Sequence, residues 1–168
     1  MKAMHGVLAA LLCLGGNAQA AAIQACNVTV DVIDQDPKGT NVRETPGGKV
    51  VGVLKGSPTE DDWIEVHVIG QSGDWFLIDK ATRIGDEEET IFTGQGYMHL
   101  SMLGSYGLQN GMPLWSDHDE KSPRVTKEAM GDQDVKFLGC WDDFAKIRAK
   151  EGTGWTHSLC LNGRTTCP

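Results

Sequence analysis

The sequence predicts an all-β fold made of two similar units in tandem, and three observations carry that expectation. Short runs with period-2 alternation of apolar and polar residues recur from Asn27 onward, separated by glycine- and proline-rich turns. No convincing helical pattern of ten or more residues separates them, which argues against a parallel sheet with crossover helices. Finally, Gly96-Tyr97-Met98-His99-Leu100-Ser101-Met102-Leu103 is echoed 58 residues later by Gly154-Trp155-Thr156-His157-Ser158-Leu159-Cys160-Leu161. Self-similarity at a fixed spacing sets the size of the folding unit. Each copy also follows a loop-plus-aromatic segment, Ile69 to Ile78 in the first and Leu138 to Ile147 in the second.

In chain order, residues 1–20 read as a secretory signal. Lys2 supplies the positive start, Val7 to Leu14 the short apolar core, and Ala18-Gln19-Ala20 a small-residue cleavage site. The apolar run is too short to span a bilayer, and no later stretch supplies the roughly 20 apolar residues a spanning helix needs. Periplasmic or secreted localisation is therefore expected, with no membrane span.

Val28, Val30 and Val32 alternate as a first strand. Val50 to Leu54, Ile64 to Ile69 and Trp75 to Ile78 read as further strands. The turn signals between them are Asp36-Pro37-Lys38-Gly39, Pro46-Gly47-Gly48 and Gln71-Ser72-Gly73-Asp74. Gly85 to Thr90 is a like-charge run that reads as a long, solvent-facing insertion before the closing strand of the first unit. Leu103 to Pro113 carries three glycines and reads as the linker, with the boundary near Gly104 to Asn110. The division is thus 1–20, signal; 21–104, first domain; 105–168, second domain with a cysteine-bearing tail. Arg124 to Met130 is the only helix-like stretch, brief enough for a loop or single turn.

The chain has 15 basic and 23 acidic residues, a net charge of −8. Loss of Lys2 with the signal leaves 14 against 23. An acidic surface argues against nucleic acid or anionic lipid as partner, since both demand clustered Lys and Arg, and permits a cationic protein. Export leaves Cys26, Cys140, Cys160 and Cys167, an even number in a compartment where disulfides persist. If all are paired, Cys26 must reach into the second unit; which of the three connectivities holds is open. No C-x-x-C pair offers a zinc site, and no cofactor or metal is expected.

Catalytic constellations are missing from the pattern. Cys160 follows His157 by three residues, but the even cysteine count favours a bridge over a nucleophile. Gly104-Ser105-Tyr106-Gly107 lacks nucleophile-elbow spacing. Asp34 to Gly39 opens like a calcium loop, but Lys38 and Thr45 stand at ligand positions. Asp117-His118-Asp119-Glu120 reads as a solvated loop tip, because four consecutive residues of an extended strand cannot face one point. A non-enzymatic protein is the expectation.

Asn41-Val42-Arg43-Glu44-Thr45-Pro46-Gly47-Gly48-Lys49-Val50-Val51-Gly52-Val53-Leu54, the Gly-Asp-Trp segment and Gly96 to Leu103 together resemble the bacterial SH3-like (SH3b) domain. The second unit, from Pro113-Leu114-Trp115 to the Gly154 phrase, resembles a divergent copy that lacks the Asn-Val-Arg opening and has Asp142-Asp143-Phe144 in place of Gly-Asp-Trp. The tail from Cys160 to Cys167 resembles those of small exported proteobacterial SH3-like proteins. The resemblance implies two small five-to-six-stranded SH3-like β-barrels in tandem, each a binding module with an aromatic-floored groove.

Carried over by position, the first groove uses Glu44, Lys49, Trp75, Tyr97 and His99, and the second Trp115, Asp117, Trp141, Trp155 and His157. Barrel core or edge packing is the competing role for Trp75, Tyr97 and Trp155. The ligand implied is a peptide or a peptidoglycan stem in the cell envelope. The alternative is a periplasmic inhibitor or immunity-type protein that binds a partner enzyme, motivated by the acidic balance and the Asp86 to Glu89 run.

Overall fold

Alternation of buried and exposed side chains writes the strands of the computed structural model, which describes residues 22–56, 62–126 and 131–161. Strand β1 (Gln24–Val32) buries Cys26, Val28, Val30 and Val32 on its inner side. Strands β2 (Thr40–Arg43) and β3 (Val50–Leu54) form a hairpin, β4 (Trp63–Ser72) and β5 (Trp75–Ile84) a second, and β6 (Glu89–His99) pairs with β5 along its length. A single 3-10 turn at Leu100–Met102 leads into β7 (Leu103–Leu108). Strands β8 (Asp132–Trp141), β9 (Phe144–Ala149), β10 (Gly152–Thr156) and β11 (Leu159–Cys160) complete the order.

The all-β expectation holds, but the strands do not close into two separate barrels. They form one antiparallel sheet in the order β10-β9-β8-β7-β1-β4-β5-β6-β2-β3, with β11 on β7. The cause is β7. The stretch read as a linker forms a strand in which every residue but Tyr106 is buried, and it pairs with β1 on one side and β8 on the other. The hydrogen-bonded ladder thus runs unbroken across residue 104.

The interior is continuous as well. Phe76 of β5 packs on Phe137 of β8 with ring centroids 4.5 Å apart, inside one cluster that runs from Cys26 to Ala149. The Cys26–Cys140 disulfide joins β1 to β8, so Cys26 does reach into the second unit. Beside it, Asn27 N–H donates to Asp142 O (2.6 Å) and Asp142 N–H to Ala25 O (3.1 Å). These bonds hold Asp142 at φ 50°, the left-handed region that a non-glycine residue occupies only at a cost. Cys160 is also disulfide-bonded, while Cys167 lies outside the described residues, as do the signal segment and most of the Arg124 to Met130 stretch.

The repeat survives at the level of register. Arg43 of β2 pairs with Tyr97, and Trp115 pairs with Trp155, the residue equivalent to Tyr97. The glycine preceding each aromatic permits the crossing: a Cβ on Gly96 would meet Val42 Cγ1 at 2.3 Å, and one on Gly154 would meet Leu114 Cβ and Trp115 O at 2.8 Å.

Candidate functional site

The residues expected to form the second groove come together at one end of the sheet. Segment 116–122 is folded by its own short side chains rather than extended. Asp117 Oδ1 accepts from His118 N–H (2.9 Å), Asp119 Oδ1 from Lys121 N–H (2.9 Å), and Asp119 O from Ser122 N–H (2.9 Å). The segment is the solvated loop tip expected from the sequence, with Asp117, Asp119 and Glu120 exposed and His118 half-buried. Successive turns, not a strand, allow neighbouring residues of the segment to reach different aromatic rings.

His118 lies over Trp141 with centroids 4.4 Å apart and meets Trp155 at 5.4 Å. Its Nδ1 is 2.6 Å from Asp117 Oδ1. The Asp117 carboxyl is held below the ordinary carboxylate range, first by the His118 N–H and then by the neighbouring charges of His118 and Lys146. Lys146, register partner of Trp155, places Nζ 5.6 Å from the Trp155 ring. Trp141 remains 45 % exposed.

A second layer lies alongside. His157 stacks on Trp115 at 5.5 Å and 19°, meets Phe144 edge-on at 5.3 Å, and has Nε2 2.6 Å from Glu120 Oε1. Trp115 is only 4 % exposed, and among the described residues its indole Nε1 has no hydrogen-bond partner. Its packing makes it the floor beneath His157, while the exposed ring is Trp141. Between residues 118–121 and the facing Asp143, Phe144 and His157 is an open cavity of about 420 Å³. Sequence reasoning missed His118, Glu120 and Phe144 here. The positional signal for Phe144 was available, since the Trp141↔Phe144 hairpin matches Ser72↔Trp75, which makes Phe144 the counterpart of Trp75.

The first groove is less complete. Trp75 and His99 are register partners and meet edge-on at 5.2 Å, and Tyr97 lies between Leu77 and Arg43. His99 also accepts from Ser101 N–H at 3.3 Å, capping the 3-10 turn. Glu44 and Lys49 sit exposed at the β2–β3 hairpin, joined through Glu44 N–H to Lys49 O (2.9 Å). Among the described residues no hydrogen bond or ion pair links either side chain to Trp75 or Tyr97.

A different polar surface covers the β1-β4-β5 face. Thr29, His67 and Lys80 align in one row across the three strands, and Asp31, Glu65 and Thr82 in the next. His67 Nδ1 is 2.7 Å from Asp79 Oδ1. Asp31 is fully buried, with Oδ2 accepting from Tyr106 N–H (3.3 Å) and, among the described residues, no hydrogen-bond partner on Oδ1. Burial, reinforced by the facing Glu65, pushes its pKa up to about 8. Burial likewise raises Glu65, with the Glu88 charge adding to it, although a hydrogen bond from Trp63 Nε1 opposes the shift.

Among the described residues no group of three or more His, Cys, Asp or Glu is placed to hold a metal, and no helix is long and apolar enough to cross a membrane. Cys160 Sγ, tied in a disulfide, is not a nucleophile for His157. The aromatic face presents the exposed Trp141 ring beside the Asp117–His118 and Glu120–His157 pairs. Compared with protein-family models, curated proteins and solved structures, the chain matches none of them.

Proposed function

We propose that the chain is a non-catalytic exported binding protein, built from two SH3-like units of the SH3b kind merged through β7, that recognises a peptide ligand in the cell envelope. The observation that carries this reading is Trp141, a large ring left 45 % exposed yet held in place by His118, which itself rests on Trp155. A rigid, exposed aromatic gives contact area at low entropic cost. Asp117 and Lys146, held against His118 and Trp155, and Glu120, held against His157, supply both signs of charge along this face, which suits a zwitterionic peptide such as a peptidoglycan stem. Two matched register pairs, Arg43↔Tyr97 and Trp115↔Trp155, support the tandem reading. The disulfide at Cys26–Cys140 fits an oxidising compartment, the periplasm or the exterior.

The test is co-sedimentation of the oxidised chain with purified peptidoglycan sacculi, together with tryptophan fluorescence on titration with stem peptides. Sedimentation and a fluorescence change that Trp141→Ala abolishes are expected. A protein that stays in the supernatant, with fluorescence indifferent to stem peptides, overturns the wall-binding form.

A second reading rests on the exposed turn Asp86 to Glu88. It closes the β5–β6 hairpin and leads to Glu89, whose carboxylate pairs with Arg83. A rigid acidic hairpin tip is suited to a cationic enzyme, and the protein would then act as its periplasmic inhibitor or immunity partner. Reversing Glu87 and Glu88 to Lys should slow association with such an enzyme and flatten its salt dependence; an unchanged rate rejects this form.

A further inference from the structure

Strand β3 ends the sheet path at the opposite extreme from β10, and among the described residues it pairs only with β2. An edge strand presents a row of unpaired backbone donors and acceptors on its free side. Native edges are blunted by a charge or proline within the strand, but β3 reads Val50-Val51-Gly52-Val53-Leu54. Val50, Val51 and Val53 are 37 %, 47 % and 44 % exposed, three of the seven large apolar side chains exposed among the described residues. The strand is also anchored from beneath: Leu54 is buried, and a Cβ on Gly52 would meet the Phe92 ring at 3.2 Å.

The charges around this strand decide what can lie along it. Lys49 and Lys55 flank it, both exposed. A second copy paired antiparallel about Gly52 would set Lys49 against Lys55, and a parallel in-register copy would set each lysine beside itself. Like charges at both ends of the ladder disfavour either arrangement. The six-residue separation of the lysines corresponds to about 20 Å of extended chain.

We infer that β3 accepts an extended segment of a partner protein as an added strand, apolar in its middle and acidic at both ends, with the acids about 20 Å apart. Backbone hydrogen bonds to the free edge of β3 hold the segment. Val51 and Val53 pack on its apolar side chains, and Lys49 and Lys55 select its acidic ends. This surface stands apart from the Trp141 face, so the two can be tested separately.

The experiment is a titration of the isotopically labelled, oxidised chain with a seven-residue peptide that has glutamate at both ends and alternating valine and threonine between. Amide shifts should concentrate in β2 and β3 and leave Trp141, Trp155 and His118 unmoved. The same peptide N-methylated at alternate amides should fail to bind, because it cannot complete the ladder. The double variant K49E/K55E should bind the acidic peptide about tenfold more weakly and prefer a lysine-ended version. The inference is overturned if β3 amides do not move, if the N-methylated peptide binds equally, if the shifts centre on Trp141, or if the free chain dimerises through β3.

Discussion

Phe76 and Phe137, 61 residues apart in sequence, lie ring against ring at 4.5 Å, one contributed by each half of the chain and both almost fully buried. Two independent barrels would each bury their own phenylalanine. Here the pair stands where the halves share a core.

Truncating either ring should therefore destabilise the whole chain. Phe137→Ala and Phe76→Ala are each expected to cost about 3–5 kcal/mol, the range for buried aromatics. Urea unfolding followed by tryptophan fluorescence and by circular dichroism should give coincident single transitions. Two separated transitions would show that the halves fold apart.

The equivalent glycines make a paired prediction. Gly96→Ala forces a methyl into Val42, and Gly154→Ala forces one into Leu114 and the Trp115 carbonyl. Each should cost roughly 1–3 kcal/mol by overpacking, measured as a shift in urea midpoint. A neutral Gly154→Ala would mean that Leu114 and Trp115 can move aside, and that the crossing is not structurally equivalent in the two halves.

The buried carboxyl of Asp31 fixes a pH dependence. Its pKa is about 8 when folded and near 3.8 when unfolded, so between those values the folded chain holds more protons than the unfolded one. Stability should fall as pH rises from about 4 to about 8 and then level off, with a total effect of at most about 6 kcal/mol. Asp31→Asn keeps an acceptor for the Tyr106 N–H and should remove this slope while raising stability at pH 8. Urea midpoints of both proteins at pH 5, 7 and 9 provide the measurement. A wild-type slope that persists in Asp31→Asn would assign the dependence to another group.

Trp141 and Trp115 should separate binding from folding. Trp141→Ala removes an exposed ring and should change stability by less than about 0.5 kcal/mol. Trp115→Ala empties the floor beneath His157 and Phe144 and should cost about 3–5 kcal/mol. Thermal melts of the two variants decide the assignment; equal losses would make Trp141 a packing residue.

These elements differ in how plainly the sequence carried them. Strands β1, β3, β4 and the start of β5 were legible because β-branched and aromatic residues are concentrated there between turn signals. Strand β7 was hidden by Gly104 and Gly107, which contribute backbone hydrogen bonds but no side-chain pattern, so it read as a linker. The Asp86 to Glu89 run read as a long insertion, whereas the Thr82↔Thr90 and Arg83↔Glu89 pairs make it the tip of a lengthened hairpin. Of the site, Trp141, Trp155 and His157 were found through the repeat. His118 and Glu120 were missed because their positions depend on turns formed by Asp117 and Asp119, a local geometry that strand periodicity does not encode.

The bond between Cys26 and Cys140 encloses most of the chain, 114 positions in separation. A protease that cuts an exposed turn within that span, such as Thr45 to Gly47 or Asp86 to Glu88, opens a ring rather than severing a thread. The nicked molecule remains one covalent body, its two pieces still tethered beside the Asp142 turn. Damage at a single site is thereby converted from loss of a fragment into a cut that becomes visible as two pieces only after reduction.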